Sequence, residues 1–144
     1  MQPANQVDEE VVVRRNMPIA RERIFAAWLD PGIMAEFMKM PDCPDSVVEA
    51  DPRVGGKFRI MMRHGKSGTE HWGEYLEIEP PSRLSFTWIS VHTRRESTTV
   101  TVELIARGGG TEVILTHRKL PQMHDGHRGG WTQILGALEA KLSR

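Results

Sequence analysis

Between Asp51 and Trp88 apolar and polar residues alternate through DPRVGGKFRIMM, break at a short polar loop, and resume through GEYLEIEPPSRLSFTW. A period of two puts every second side chain on the same side of a pleated sheet. The inward set is large and soft: Phe58, Ile60, Met62, Phe86 and Trp88. A sheet face built from such residues needs a helix packed on it or a ligand beneath it.

The rest of the chain supplies the cover. Glu10 to Arg15 and Ser46 to Ala50 read as short strands, and Lys57 to His64 alternates cleanly. Gly65 to Gly68 reads as a hairpin loop and Trp72 to Ile78 as a strand whose inward face the pattern leaves open. Leu84 to His92 places Leu84, Phe86, Trp88 and His92 on one face. Ser97 to Ala106 turns Val100, Val102 and Leu104 inward. After a glycine turn at Gly108 to Gly110, Thr111 to Lys119 turns Val113, Leu115 and His117 inward.

Pro18 opens a helical segment with Ile19, Ile24, Phe25, Trp28 and Leu29 at helical spacing. Asp30-Pro31 then stops it and caps a second short helix carrying Ile33, Met34, Phe37 and Met38. Pro41 and Pro44 end that helix. After Pro121 a stripe of Trp131, Ile134, Leu135, Leu138 and Leu142 recurs at three and four residues, the pattern of a long helix with one apolar face. The expected fold is α+β: a curved antiparallel sheet of about six or seven strands wrapped around that C-terminal helix, with two short helices after the first strand. One domain is expected over residues 1–144, with 1–8 a flexible terminus.

Composition narrows the function classes. The 144 residues carry 39% hydrophobic side chains, enough for one core, and 19 basic against 19 acidic groups. A zero balance argues against nucleic acid or an anionic membrane as the main partner, since both select for a basic surplus. Cys43 is the single cysteine, so no internal disulfide and no cysteine-based zinc cluster forms. No apolar run reaches the roughly 18 residues that span a bilayer, and the polar, acidic start MQPANQVDEE is unlike a secretory signal. A cytoplasmic location is the simplest expectation.

The segments AAWLDPGIMAEFM, DPRVGGKFRIMM, GEYLEIEPPSRLSFTW, ESTTVTVELIARGGGTEVILTHRKLP and HRGGWTQILGAL, in this order and spacing, are similar to the heat-shock protein 90 ATPase activator homologue family. That family lies within the START-like, polyketide-cyclase-related superfamily of helix-grip folds. The resemblance runs from about Val11 to the end. It implies a deep cavity between the sheet and the long helix. Relatives in the superfamily bind lipids, hormones or polyketides, and a few catalyse cyclisation or hydrolysis. The family has no universal catalytic motif. It is named for a co-chaperone whose activator role uses an additional domain that this chain does not show.

Candidate site residues follow from the inward faces. Trp28, Phe58, Ile60, Met62, Phe86, Trp88, Trp131 and Leu135 are expected to line a ligand cavity, with plain core as the alternative. Tyr75, the single tyrosine, offers one hydroxyl handle, and Glu74 beside it is expected to face solvent. His92 and His117 are polar candidates for the same cavity. With His64 they form three inward histidines, enough in principle for zinc or a general base, but no carboxylate falls at a telling spacing. A metal site, a cofactor and a catalytic residue are therefore not expected. His117 also resembles a family position in a Thr-His segment, which implies a hydrogen-bonding structural role. His71 is placed in or near a loop, and His124 and His127 at the start of the last helix. Asp51 and Arg53 read as a turn lock, Arg94 and Arg95 as a charged loop, and Cys43 as incidental. Apolar Met61, Ile89, Val91, Ile105 and Ile114 on the outer face suggest a homodimer contact or cover by the N-terminal segment.

The leading expectation is a non-enzymatic module that holds a small apolar or amphipathic molecule. A cyclase- or hydrolase-type enzyme using Tyr75, His92 or His117, and a chaperone-cofactor-like protein, are the alternatives.

Overall fold

A computed structural model describes residues 9–40, 45–64, 66–120 and 125–143. The expectations for residues 1–8, Pro41, Cys43, Pro44, Pro121 and His124, and for the His64 side chain, lie outside what it describes. Strand β1 (Glu9–Met17) leads into helices α1 (Arg21–Trp28) and α2 (Pro31–Phe37). Six strands follow: β2 (Asp45–Ala50), β3 (Lys57–His64), β4 (Ser67–Glu79), β5 (Arg83–Trp88), β6 (Thr98–Arg107) and β7 (Gly110–Leu120). The long helix α3 (Asp125–Leu142) comes last.

All seven strands form one antiparallel, open, curved sheet in the order β1-β7-β6-β5-β4-β3-β2. β1 and β2 therefore occupy opposite edges, and α1 and α2 carry the chain from one edge to the other. The Asp30 carboxylate fixes the break between these helices, accepting from Gly32 N at 2.9 Å and Ile33 N at 3.2 Å. A cap of this kind contributes about 1 kcal/mol.

The apolar stripe of α3 is buried along its length, with Trp131, Ile134, Leu135, Leu138 and Leu142 all in the core. Val100, Val102, Leu104, Val113 and Leu115 meet it from β6 and β7, as the alternation predicts. Three polar links tie the helices down. Arg15 of β1 binds Glu139 of α3 at 2.8 Å, Lys141 binds Glu36 of α2 at 2.9 Å, and the Arg23 guanidinium donates to the Leu142 carbonyl at 2.7 Å.

β4 is the irregular strand. Its first half pairs with β3 and its second half with β5, and the β5 register slips between Tyr75 and Glu77, leaving Leu76 as an extra residue. Such a bulge bends a strand and reverses which residues point inward. Before it His71, Gly73 and Tyr75 are buried; beyond it Ile78 packs on the core. Gly73 sits where the strands crowd. A Cβ there would lie 1.9 Å from the Thr87 carbonyl oxygen and 2.7 Å from the Phe58 ring.

Three expectations are corrected. β5 ends at Trp88, so His92 is not on the inward face of a strand: it lies in a single 3-10 turn, Val91–Thr93, and is exposed. Ser90 and Thr93 make that turn: the Ser90 hydroxyl accepts from His92 N–H at 3.0 Å and the Thr93 hydroxyl accepts from Ser90 N–H at 3.1 Å. His71 is inside β4 and buried, not in a loop. The Gly65 to Gly68 loop is shorter than expected, because Ser67 already pairs with His64. On the outer face Met61, Ile89 and Ile114 are half-buried, while Val91 and Ile105 are exposed. The Asp51 and Arg53 side chains do pair, at 2.8 Å.

Candidate functional site

Where α1 and α2 cross the sheet, eight side chains enclose a small void: Trp28, Met34 and Met38 from the helices, and Phe58, Ile60, Tyr75, Phe86 and Trp88 from the sheet. Each is placed by local sequence. Met34, Phe37 and Met38 fall at three and four residues, so α2 presents one apolar stripe to the sheet. Phe58 and Ile60 share the inward parity of β3, and Phe86 and Trp88 that of β5. Tyr75 joins them from β4 because it precedes the bulge and pairs with Phe86.

The aromatic rings hold one another. Phe86 meets Phe58 edge to face, with centroids 5.4 Å apart and planes at 89°. Trp28 packs edge-on against Phe37 at 5.2 Å, and Phe58 tilts against Tyr75 at 5.4 Å. These are favourable ring geometries. The space a water-sized sphere can reach between them is about 10 Å³, room for about one water molecule. The resemblance implies a deep cavity under the long helix. The described void is small, and α1 and α2 form its wall opposite the sheet.

Two polar atoms on this lining stand out. Trp28 Nε1 and the Tyr75 hydroxyl are buried, and neither has a hydrogen-bond partner among the described residues. Burial, helped by the negative charge of Asp51, pushes the Tyr75 phenol up to about 12. It therefore stays protonated at neutral pH, a hydrogen-bond donor rather than a nucleophile.

Of the sequence candidates, Trp28, Phe58, Ile60, Tyr75, Phe86 and Trp88 come together around the void. Met62, His117, Trp131 and Leu135 are buried outside its lining, and His92 is at the surface. Trp131 touches it only through Trp88, at 4.9 Å between centroids. Met34 and Met38 line the void although sequence reasoning assigned them only to a helix face. Their spacing beside Phe37 was the available signal.

His117 is committed elsewhere. Its Nδ1 accepts from Trp131 Nε1–H at 2.9 Å, and its Nε2 lies 2.7 Å from Thr98 Oγ1. Indole nitrogen only donates, so Nδ1 carries no proton and Nε2–H donates to Thr98. The Thr98 hydroxyl in turn donates to the Trp88 carbonyl. Burial and the nearby His127 ring lower His117 to about 3, in keeping with the neutral form. This relay spans α3, β7, β6 and β5 and agrees with the structural role the resemblance implies. His71 tilts against Trp88 with centroids 4.9 Å apart and is lowered to about 4 by burial and by His92. Glu74 is half-buried, its backbone N–H bound by Thr87 Oγ1 at 2.8 Å. Arg94 and Arg95 are exposed, with φ of 57° and 60°. Among the described residues no cluster of His, Cys, Asp or Glu is arranged to hold a metal, and no helix is long and apolar enough to cross a membrane.

The profile of the family described as activator of Hsp90 ATPase homolog 1-like protein matches residues 18–143. A Chromobacterium violaceum protein has a similar structure, with 24% identity, TM-score 0.78, and 94% of this chain and 99% of that one covered. A Mesorhizobium loti protein gives 25%, 0.76, 94% and 98%. An HSP90 activator from Plasmodium falciparum gives 26%, 0.74, 95% and 96%. No functionally curated protein matches the chain.

Proposed function

The chain belongs to the activator of Hsp90 ATPase homolog 1-like family, and on that premise we propose that it binds a small, mainly apolar molecule between the sheet and helices α1 and α2. The observation that carries this reading is the lining itself: eight side chains, none of them charged, around an unfilled void. Ligand sites are concave and mostly apolar, with few polar groups to set orientation. The void is too small for a ligand as it stands. Met34 and Met38 form the movable part of the wall, and thioether side chains repack readily around different shapes.

Isopropylbenzene is a suitable probe, having size and apolarity but no polar group. At about 100 times its Kd it should stabilise the fold by about 2.7 kcal/mol, read as a rise in Tm. Met38→Trp, which fills the void, should remove that rise. If no member of a panel of small apolar compounds raises Tm, or if Met38→Trp responds like the wild type, the reading fails.

A second reading comes from the Plasmodium falciparum protein described as an HSP90 activator. It holds that this chain acts on a chaperone through its surface. An Hsp90 ATPase assay tests it: turnover should rise on addition of the protein, and an unchanged rate sinks this reading while leaving the pocket reading intact.

A further inference from the structure

Resting on the pocket reading, we propose that the ligand is an uncharged molecule with a carbonyl-type acceptor, received by Trp28 Nε1–H and the Tyr75 hydroxyl. The two groups stand on opposite walls of one void, Trp28 on α1 and Tyr75 on β4. They are only 1% and 2% exposed, so bulk water does not serve them. A buried donor without a partner is costly, and native structures seldom keep one without a reason. Here two belong to residues of one lining, and a single acceptor within reach of both would satisfy them. A carbonyl oxygen has two lone pairs and accepts from both at once.

The charge of the ligand follows from the same walls. No cation lines the void, and an unpaired carboxylate in an apolar site is strongly disfavoured. Asp51 acts on Tyr75 as a negative charge, which opposes an anion further. A pure hydrocarbon fits the rings but leaves both donors unpaired. Among the described residues Ser46 Oγ and His71 Nδ1 are also buried without partners, but neither residue lines the void. The pair of donors is thus specific to the pocket.

Three probes of matched shape separate the possibilities: acetophenone, isopropylbenzene and benzoate, titrated into the full chain at pH 7. Acetophenone should bind about tenfold more tightly than isopropylbenzene, and benzoate should not bind. Tyr75→Phe keeps the ring and should bring acetophenone affinity close to that of isopropylbenzene, abolishing most of the preference. In the wild type the Trp28 indole N–H resonance should move downfield with acetophenone and not with isopropylbenzene. Equal affinity of acetophenone and isopropylbenzene overturns this inference and leaves the pocket reading standing. Tighter binding of benzoate overturns the uncharged class. A bound water that joins the two donors and that acetophenone does not displace overturns the carbonyl role. Failure of all three probes overturns the pocket reading together with this one.

Discussion

Gly73→Ala is expected to cost about 3 kcal/mol or more, placing it among the most damaging single substitutions in the chain. The added Cβ lies 1.9 Å from the Thr87 carbonyl oxygen, and the strands must part until that separation reaches the 3.4 Å of ordinary contact. The obstacle is backbone, so no rotamer change relieves it. The neighbouring links lie just before the bulge: the paired Trp72 and Ile89 bridge, at 3.0 and 2.9 Å, and the Glu74 N–H to Thr87 Oγ1 bond. Phe58 lies over the same glycine and would be pushed toward the void. Gly129→Ala is the control. It sits in α3, exposed, with nothing within 4 Å of an added Cβ, and should stabilise by roughly 0.5–1 kcal/mol through helix propensity. Urea unfolding midpoints of the two variants test the pair. A midpoint for Gly73→Ala within error of the wild type would show that β4 and β5 are not in this close register.

The same bulge explains what the sequence made legible and what it hid. β3, β5, β6 and β7 keep strict parity, so Phe58, Ile60, Phe86, Trp88, Val100 and Leu115 could be placed inward from alternation alone. α3 could be placed because a three-and-four stripe on 18 helical residues has one way to pack. In β4 the extra residue Leu76 reverses parity midway, so Tyr75 and Ile78, three apart, face the same side. No single period fits such a strand. His71 was missed because the strand start was read five residues late, at Trp72 instead of Ser67. His92 was misplaced because apolar residues continue past Trp88, while the Ser90 and Thr93 side chains stop the strand by binding its backbone. The size of the void was not legible either. It depends on how eight side chains interlock, and pattern carries no information about residual volume.

Acid should destabilise this protein before its carboxylates lose their charge. His117 and His71 are held at about 3 and about 4 in the fold, against 6.5 for the free group. Below pH 6.5 the unfolded chain takes up protons at both sites and the native state does not, so stability falls as pH falls. Each histidine contributes a slope of up to about 1.4 kcal/mol per pH unit until its folded value is reached. Near pH 5 the two together remove about 4 kcal/mol, a large share of the 5–15 kcal/mol that ordinary domains possess. The carboxylates Glu77 and Glu112 are lowered, Glu77 mainly by its Ser85 hydrogen bond and Glu112 by Arg107. Their contribution is lost as pH falls from the ordinary carboxylate range downward, so the histidine loss begins first. For His117 the cause is burial, with the His127 ring beside it, and a proton on Nδ1 would also face Trp131 Nε1–H, donor against donor. His117→Leu should therefore flatten the pH slope by about half, while costing about 3 kcal/mol at pH 7 through the orphaned indole N–H and imperfect packing. Adding Trp131→Phe removes that orphan, so the double variant should be less unstable than the two single costs combined. Urea midpoints at pH 7.5, 6.5, 5.5 and 5.0 measure all of this. A stability that is flat from pH 7 to 5 would mean that neither histidine is buried as a neutral ring.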